Sequence, residues 1–351
     1  MSKLSKTFAL LLVVLFIMPL VFLPSPTVKA QTRPIIVPED YPTISSAIGN
    51  ATDGETILVK KGTYEEQTLV IEKTIALIGE GTENTTISCH PQWVFTGGFH
   101  LNGTGISPDY GYDSPIKITG NNVTVSGFKI VSDPSSSIST RGTGTIIAFN
   151  NITTPITISG LAQNVTGNYI KSGILCTGGE KTVISNNQIN DGIYTMASQI
   201  TIINNTFSGK YGIMMGGYDN KIFNNTIQNT GGALYFWAYA VGNSVYGNNF
   251  INNSRQVQIG DVYNSTVAKW DNDGVGNYWS DHNGQGDYVI NQDNVDHYPL
   301  TEPYHVSVIS EPNLPTTLPI VIVAITVTIG IISLLLYLRY RKTANQTPKS
   351  L

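Results

Sequence analysis

One six-residue phrase returns five times between residues 165 and 250. It has the form apolar, any, Gly or Asn, Asn, any, Ile or Phe, and its copies begin at Val165, Ile184, Ile202, Ile222 and Val245. Successive copies end 19, 18, 20 and 23 residues apart, and a weaker copy at 125–130 ends 40 residues before the first of them. Such a period is typical of a stack of small units that bury a core only together.

The length and composition of the unit indicate which kind of stack this is. A unit of about 20 residues broken by Asn and Gly has no room for a long helix, and the spacing of leucine-rich repeats is absent. The sequence therefore predicts an all-β fold, a right-handed single-stranded parallel β-helix. Parallel strands stack about 4.8 Å apart, so like residues lie above one another. Asn accepts the left-handed backbone of a sharp corner, and stacked Asn side chains hydrogen-bond along the axis.

An apolar segment lies near each end of the chain. Residues 1–30 combine a basic start, an apolar segment and a Val-Lys-Ala site, which is typical of a signal peptide; an uncleaved anchor is the alternative. Residues 318–338 form an uncharged apolar run long enough to span a bilayer, and the basic tail 339–351 marks the cytoplasmic side. We therefore expect a cell-surface protein with its ectodomain at 31–304 outside, a stalk at 305–317 and one membrane span.

The charge and the two cysteines narrow the possible partners and crosslinks. Residues 31–317 contain 13 Lys/Arg and 24 Asp/Glu, a net charge of −11 that disfavours nucleic acid or anionic lipid as the partner.

Cys89 and Cys176 are separated by about four coils, or roughly 19 Å, whereas a disulfide needs Cα atoms within about 7 Å. We expect both thiols to be free and Cys176 to be buried. Ten N-x-S/T sequons make the ectodomain a glycoprotein if the host glycosylates exported Asn.

The sequence predicts the order of secondary-structure elements in the first coils. Residues 36–52 are expected to form an N-terminal cap, in which a short helix at 41–48 places Ile44, Ala47 and Ile48 on one side. Thr56–Val59 and 74–79 are predicted strands, and 62–64 a turn.

These segments resemble a known family. The stretches VPEDYPTI at 37–44, GETILV at 54–59 and GTY at 62–64 are similar to the opening of pectin-lyase-like β-helices. The phrases WDN at 270–272, GNYWSD at 276–281 and YPL at 298–300 resemble the closing motif of the NosD group within that fold. The group is named for a copper-insertion accessory protein of nitrous oxide reductase and is abundant among archaeal surface proteins. The resemblance implies one β-helix over about 36–303, closed by 270–303.

The resemblance raises the question of metals. Relatives often carry an acidic stretch after the Trp-Ser-Asp phrase, and here only Asn283-Gly284-Gln285-Gly286-Asp287 remains, which argues against a calcium site. Soft copper ligands are present at Cys89, His90 and His100, and again at Met196, Met214 and Met215, but neither set is arranged like a known copper motif. We assign no metal and no cofactor.

A second register lies between the Asn phrases, with aligned copies that begin at Gly173, Gly192, Gly212, Ala233 and Gln256. Strand alternation separates two faces. The predicted inward ladders are Ile174, Ile193, Ile213, Leu234 and Val257, and Cys176, Thr195, Met215, Phe236 and Ile259. The predicted outward residues are Leu175, Tyr194, Met196, Met214, Tyr235 and Trp237, a row too apolar for an ordinary solvent face.

Three interpretations account for this row. Tyr194, Met214, Tyr235 and Trp237 can form a platform for a linear glycan, because the coil spacing of about 4.8 Å is close to the length of one sugar unit. Alternatively, the excursion at 88–113, with Tyr110 and Tyr112, covers the row, or a protein partner does. The leading hypothesis is a membrane-anchored binding or structural protein that recognises extracellular or cell-wall polysaccharide.

An enzyme is the second function class, and a copper-handling accessory protein the third. A glycosidase needs two carboxylates facing one bond, and a lyase needs a base and usually a metal. No two acids recur at one coil position in consecutive coils. Asp191 and Arg255 flank the row and are the only catalytic candidates; the other charges are read as turn residues, namely Asp133, Glu180, Asp219, Asp261 and Arg141.

Overall fold

A computed structural model describes residues 33–304, apart from 103–104, 238–239 and 261–267. Three sheets of parallel strands, with ten, ten and nine members, each follow chain order, so the chain visits the sheets in turn once per coil. This confirms the predicted parallel β-helix. The predicted signal peptide, stalk, span and tail lie outside the described residues. No helix within the described part of the chain has the length and apolarity to cross a bilayer.

The first two sheets meet at a short corner. The strands of the first sheet are Ile35–Val37, Thr56–Val59, Ala76–Gly79, Thr124–Ser126, Ile146–Ala148, Asn164–Thr166, Val183–Ser185, Thr201–Ile203, Lys221–Phe223 and Ser244–Tyr246. The strands of the second sheet are Gly62–Glu66, Thr85–Cys89, Lys129–Val131, Asn151–Ile152, Tyr169–Ile170, Gln188–Ile189, Thr206–Phe207, Thr226–Gln228, Asn249–Ile251 and Tyr278–Trp279.

The third sheet carries the apolar row. Its strands are Leu69–Ile71, Ile116–Ile118, Ile138–Thr140, Ile156–Ile158, Ile174–Cys176, Ile193–Thr195, Tyr211–Met215, Gly232–Phe236 and Val257–Ile259. Two antiparallel hairpins complete the fold, Trp93–Asn102 with Gly105–Tyr112 and Tyr288–Asn291 with Asn294–Asp296.

The inward ladders of the third sheet form one wall of the core. The strands pair in the predicted register, with Ile174 beside Ile193, Ile193 beside Ile213 and Ile213 beside Leu234. These four side chains are at most 2% exposed. Val257, at the end of the same ladder, is only partly buried, since its strand is the edge of the sheet. Each fully buried aliphatic side chain stabilises the stack by about 1.5–3 kcal/mol before its ordering entropy is counted.

The N-terminal end is covered by the predicted helix, which spans Ile44–Asn50 rather than 41–48. Thr43 caps it through its hydroxyl, and Ile44, Ala47 and Ile48 face the core. The Glu66 carboxylate accepts the Ile44 N–H at 2.8 Å, which satisfies one of the free donors of the first turn.

The predicted turn at 62–64 is wrong. These residues begin the strand Gly62–Glu66, which pairs along its whole length with Thr85–Cys89. The alternation of half-buried and exposed residues in this strand is that of a sheet with one solvent face, and a single Gly at its start does not interrupt the pairing. The predicted strand at 74–79 begins at Ala76.

The repeated phrase forms the corner between the first and second sheets. Its third position has a left-handed backbone in every coil that carries the phrase, for example φ 67° at Gly167 and φ 54° at Asn204. A further copy occurs at 147–152, where Phe149 holds this position with φ 54°. Gly and Asn are preferred there because they reach this region at the lowest steric cost.

The fourth position of the phrase builds a buried ladder of amides. Each backbone N–H and each Nδ2 donates to the Oδ1 of the Asn one coil further on, and Nδ2 also reaches a carbonyl of the preceding coil; in the middle of the ladder the Asn187 Nδ2 to Asn205 Oδ1 distance is 3.0 Å. All members are at most 2% exposed. The ladder consists of Asn150, Asn168, Asn187, Asn205, Asn225, Asn248 and Asn277.

A buried carboxylate ends the ladder. The Asp296 Oδ2 accepts the Asn277 N–H at 2.7 Å and the Trp279 indole N–H at 2.9 Å, while its Oδ1 accepts the Tyr298 N–H. Burial raises the pKa of Asp296 even though these donors favour the charged form. Trp279 stacks between Phe250 and Tyr288 with centroid distances of 4.4 and 4.1 Å. The closing motif is therefore the last coil of the ladder and the lid of the core.

The two cysteines lie in different sheets. Both are free and Cys176 is buried, as predicted, and Cys89 is buried as well. Cys89 is on Thr85–Cys89 of the second sheet, and Cys176 is on Ile174–Cys176 of the third.

Asn205→Gly tests the ladder, and Asn204→Gly is the matched control one residue away. Removing the Asn205 side chain leaves the Asn187 donors buried without an acceptor, which we expect to lower the free energy of unfolding by about 3 kcal/mol or more. Position 204 already has a left-handed backbone, so Gly there costs less than about 1 kcal/mol. Urea unfolding followed by circular dichroism measures both, and equal shifts in midpoint contradict the ladder's role.

Candidate functional site

The outward row predicted on the third sheet is exposed. Tyr194 and Met196 are 36% and 46% exposed, while Met214, Tyr235 and Trp237 are half-buried. Tyr194, Met214 and Tyr235 pair in register on three successive strands and form one column. The two faces are therefore assigned correctly by strand alternation.

One aromatic ring of the row, that of Trp237, contacts two others. The Trp237 ring lies 5.3 Å from that of Tyr235 and 5.7 Å from that of Tyr194, with the second pair edge to face. Tyr194 and Trp237 are two strands apart, roughly 9.6 Å, so their rings lean together across the intervening strand Tyr211–Met215. The Trp237 Nε1 is buried without a hydrogen-bond partner in the described part of the chain. The ring consequently presents carbon atoms to solvent.

An open cleft lies beside these rings. It has a volume of about 220 Å³, and its lining includes Tyr211, Met214, Tyr235, Arg255 and Gln258 around a floor at Gly231 and Gly232. Tyr211, Gly232 and Arg255 occupy the same coil position on successive strands. A Cβ added at Gly232 would meet no atom within 4 Å. The missing side chain at Gly232 therefore opens the cleft between an aromatic ring and a guanidinium group.

The two catalytic candidates share this column but are not adjacent. From the strand register, Asp191 precedes Tyr211 by one coil and Arg255 by three, which corresponds to roughly 14 Å along the axis. Arg255 lines the cleft, and no carboxylate is among the residues that line it. The geometry thus does not bring Asp191 and Arg255 together around one bond.

Tyr211 was missed by the sequence analysis. The aligned copies began at Gly212 and its equivalents, one residue too late to include the column of Tyr211, Gly232 and Arg255. Extending each copy by one residue toward the N-terminus would have shown Asp191, Tyr211, Gly232 and Arg255 in consecutive coils. Tyr211 is 39% exposed and has the Lys210 ammonium 5.0 Å from its ring centroid.

Residues 49–284 match the family described as periplasmic copper-binding protein (NosD). The chain belongs to this family. The predicted resemblance to the NosD group is therefore confirmed, and it covers most of the β-helix. No curated protein matches the chain.

Solved structures with a similar chain path include one sugar complex and two enzymes named for polysaccharides. A complex of XylC with xylose is 14% identical, with 64% of this chain and 68% of that chain covered and a TM-score of 0.45. An iota-carrageenase bound to carrageenan fragments is 14% identical over 55% of this chain and 51% of that one, with a TM-score of 0.41. An alginate lyase from Paenibacillus is 14% identical over 64% and 94%, with a TM-score of 0.33. At these identities and TM-scores the similarity concerns the path of the chain, and the substrates of these proteins are not inferred for this chain.

The family description raises the question of whether this NosD-family chain offers copper ligands. Among the described residues no group of three His, Cys, Asp or Glu side chains could hold a metal ion. Cys89 faces the core whereas the neighbouring His90 faces solvent, where its Nε2 lies 2.7 Å from Glu65. Met215 is buried in the core and Met214 points outward, as alternation predicts. The side chain of His100 lies outside the described residues. The candidate ligands that are described therefore do not converge.

The thiols should be inert in the folded protein. Burial raises the pKa of both Cys89 and Cys176 to about 12, which lowers the thiolate fraction at neutral pH by roughly a thousandfold. We expect no alkylation of either by iodoacetamide under native conditions and alkylation of both in urea, measured by mass spectrometry. Native modification of Cys176 would contradict its place in the core.

Proposed function

We propose that this protein is a glycan-binding protein of the cell surface, in which the third sheet of the β-helix is the binding face. The observation that carries the proposal is the contact of Tyr194, Tyr235 and Trp237 in one exposed cluster beside an open cleft. Aromatic rings of this kind offer apolar faces with a polar edge, which suits the alternating C–H and hydroxyl surface of a sugar ring.

The cluster is not needed to close the core. The core wall behind it is already complete, because Ile193, Ile213, Leu234 and Phe236 are at most 2% exposed. Large apolar side chains outside a complete core indicate a binding surface rather than a stability element. The excursion at 88–113, which was the alternative cover for the row, forms the hairpin Trp93–Asn102 with Gly105–Tyr112. This hairpin leaves the stack just before the strand Ile116–Ile118, and that strand lies four strand spacings, roughly 19 Å, from the strand of Tyr194.

Binding accounts for the cleft better than catalysis does. Retaining and inverting glycosidases both need two carboxyl groups facing one bond. The cleft is lined by Arg255, Gln258, Ser254 and Tyr side chains but by no carboxylate. These groups can donate hydrogen bonds to the hydroxyls and ring substituents of a bound sugar chain.

The proposed site is tested by Tyr235→Ala combined with Trp237→Ala. The protein is passed over immobilised acidic and neutral polysaccharides, and retention and release of shortened products are read together. We expect retention of at least one polysaccharide without cleavage, and at least a tenfold loss of affinity in the double variant, because truncation of an aromatic side chain that anchors a ligand costs about 2 kcal/mol or more. The matched control is Phe223→Ala with Tyr246→Ala, a stacked pair on the outer face of the first sheet with centroids 5.1 Å apart.

Three results count against the proposal. Release of shortened or unsaturated sugars makes the protein an enzyme and directs attention to Asp191 and Arg255. An equal loss of retention in the control pair means that the first sheet, or the general apolarity of the surface, holds the glycan. No retention on any polysaccharide leaves a protein partner or a structural role.

Membrane anchoring is the second part of the proposal, and it rests on the apolar run at 318–338 and the basic residues that follow it. We expect the full chain to remain with membranes after an alkaline carbonate wash, and truncation after residue 317 to release it. Externally added protease should remove the ectodomain from intact cells. A full chain that washes off with carbonate contradicts the anchor.

A further inference from the structure

Charge is segregated along the axis of the β-helix. Residues 33–113 contain 4 Lys/Arg and 11 Asp/Glu, residues 114–270 contain 9 and 5, and residues 271–304 contain none and 7. The central coils, which carry the aromatic cluster, are therefore net positive between two strongly acidic ends. The net charge of −11 over residues 31–317 averages these three regions, so it does not disfavour an anionic ligand on the central coils.

Four of the nine central basic residues belong to the third sheet. They lie on its strands or within two residues of them, and all but Lys117 are exposed: Lys117, Arg141, Lys210 and Arg255. Lys117 is paired with Asp113 at 2.7 Å. Among the described residues of the central coils, Asp191 is the one carboxylate equally close to these strands. The face with the aromatic rings is therefore also the basic face.

Arg255 is the basic residue placed for direct contact with a ligand. It lines the cleft two strand spacings, roughly 10 Å, from Tyr211, with Gly232 between them. Its guanidinium donates to the Gln258 side chain, and no ion pair joins it to a carboxylate of the described residues. A guanidinium has five N–H donors, so most of them are available to a planar anion.

We propose that the ligand of the third sheet is an acidic polysaccharide, and that an anionic group of one sugar binds Arg255 in the Gly232 cleft while neighbouring rings stack on Tyr211 and Tyr235. This inference rests on the glycan-binding function proposed above and specifies its substrate class. The acidic ends of the helix repel the polyanion, so they confine it to the central coils.

The test compares two matched pairs of polymers on the full-length protein in detergent. Polygalacturonate is compared with its fully methyl-esterified form, and dextran sulfate with dextran, so each pair differs in charge and not in backbone. We expect the charged member to bind at least tenfold more tightly, with an affinity that falls as NaCl rises from 50 to 300 mM. The first pair reports carboxylate recognition and the second sulfate recognition.

Arg255→Gln should weaken the binding of the charged polymer about tenfold or more, because a charge-assisted hydrogen bond in the site is lost. Arg255→Lys keeps the charge but not the planar fork and should recover only part of the affinity. Lys221→Gln is the matched control, since it removes one exposed positive charge of the central coils from the first sheet instead. We expect it to leave the affinity unchanged.

Gly232→Leu tests the cleft without removing any charge. The position points into open space, so the side chain fills the cleft while the thermal unfolding midpoint stays within a few degrees. We expect loss of binding in this folded variant.

Five outcomes contradict the inference. Equal affinity for the charged and neutral members of both pairs, or equal loss in Arg255→Gln and Lys221→Gln, overturns it but leaves glycan binding intact. Undiminished binding by folded Gly232→Leu shows that the anion binds elsewhere. Retention of single-stranded poly-dT with the same affinity and the same dependence on Arg255 shows a general polyanion site. Failure to bind any of the four polymers, or any glycan of the wider panel, removes the proposed function as well.

Discussion

The buried amide ladder is the interaction on which the rest of the molecule depends. Each Asn of the ladder fixes the height and the register of one coil against the next, because its Oδ1 accepts both the backbone N–H and the Nδ2 of the previous Asn. A buried amide without these partners would cost about 1–3 kcal/mol, so a coil that slips by one residue is strongly disfavoured. The ladder begins where the Asn150 Oδ1 accepts the Phe128 N–H, and it ends where the Asp296 carboxylate accepts the Asn277 N–H.

Fixed register turns isolated residues into columns, and the columns create the candidate site. Tyr194, Met214 and Tyr235 form one column only because their strands pair without a shift. In the same way, Gly232 forms a cleft because Tyr211 and Arg255 occupy the same position in the coils on either side. A parallel β-helix can thus place binding groups far apart in sequence on one flat face, and it changes the face by substituting single positions without moving the backbone.

The sequence predicted those features that follow from local patterns and repetition. The Asn phrase predicted the corner and the ladder, and strand alternation predicted the two faces of the third sheet. Prediction failed at the copy 147–152, because Phe149 holds the left-handed corner position that is Gly or Asn in the other copies. It was wrong at 62–64, where a single Gly suggested a turn. It also failed to recognise Asn277, in the closing motif, as a member of the ladder. The leaning of Trp237 toward Tyr194 and the cleft at Gly232 depend on side-chain packing between coils, which no local pattern encodes.

Hydroxyl-radical footprinting of the protein with and without a saturating retained polysaccharide tests the location of the binding face most directly. The method reports the solvent access of individual Tyr, Trp and Met side chains. The account predicts protection of Tyr194, Tyr211, Met214, Tyr235 and Trp237 and no change at Tyr218, Tyr246 and Tyr298. Protection of Tyr246 or Tyr298, with the third sheet unchanged, would contradict it and place the ligand on the first sheet or the C-terminal lid.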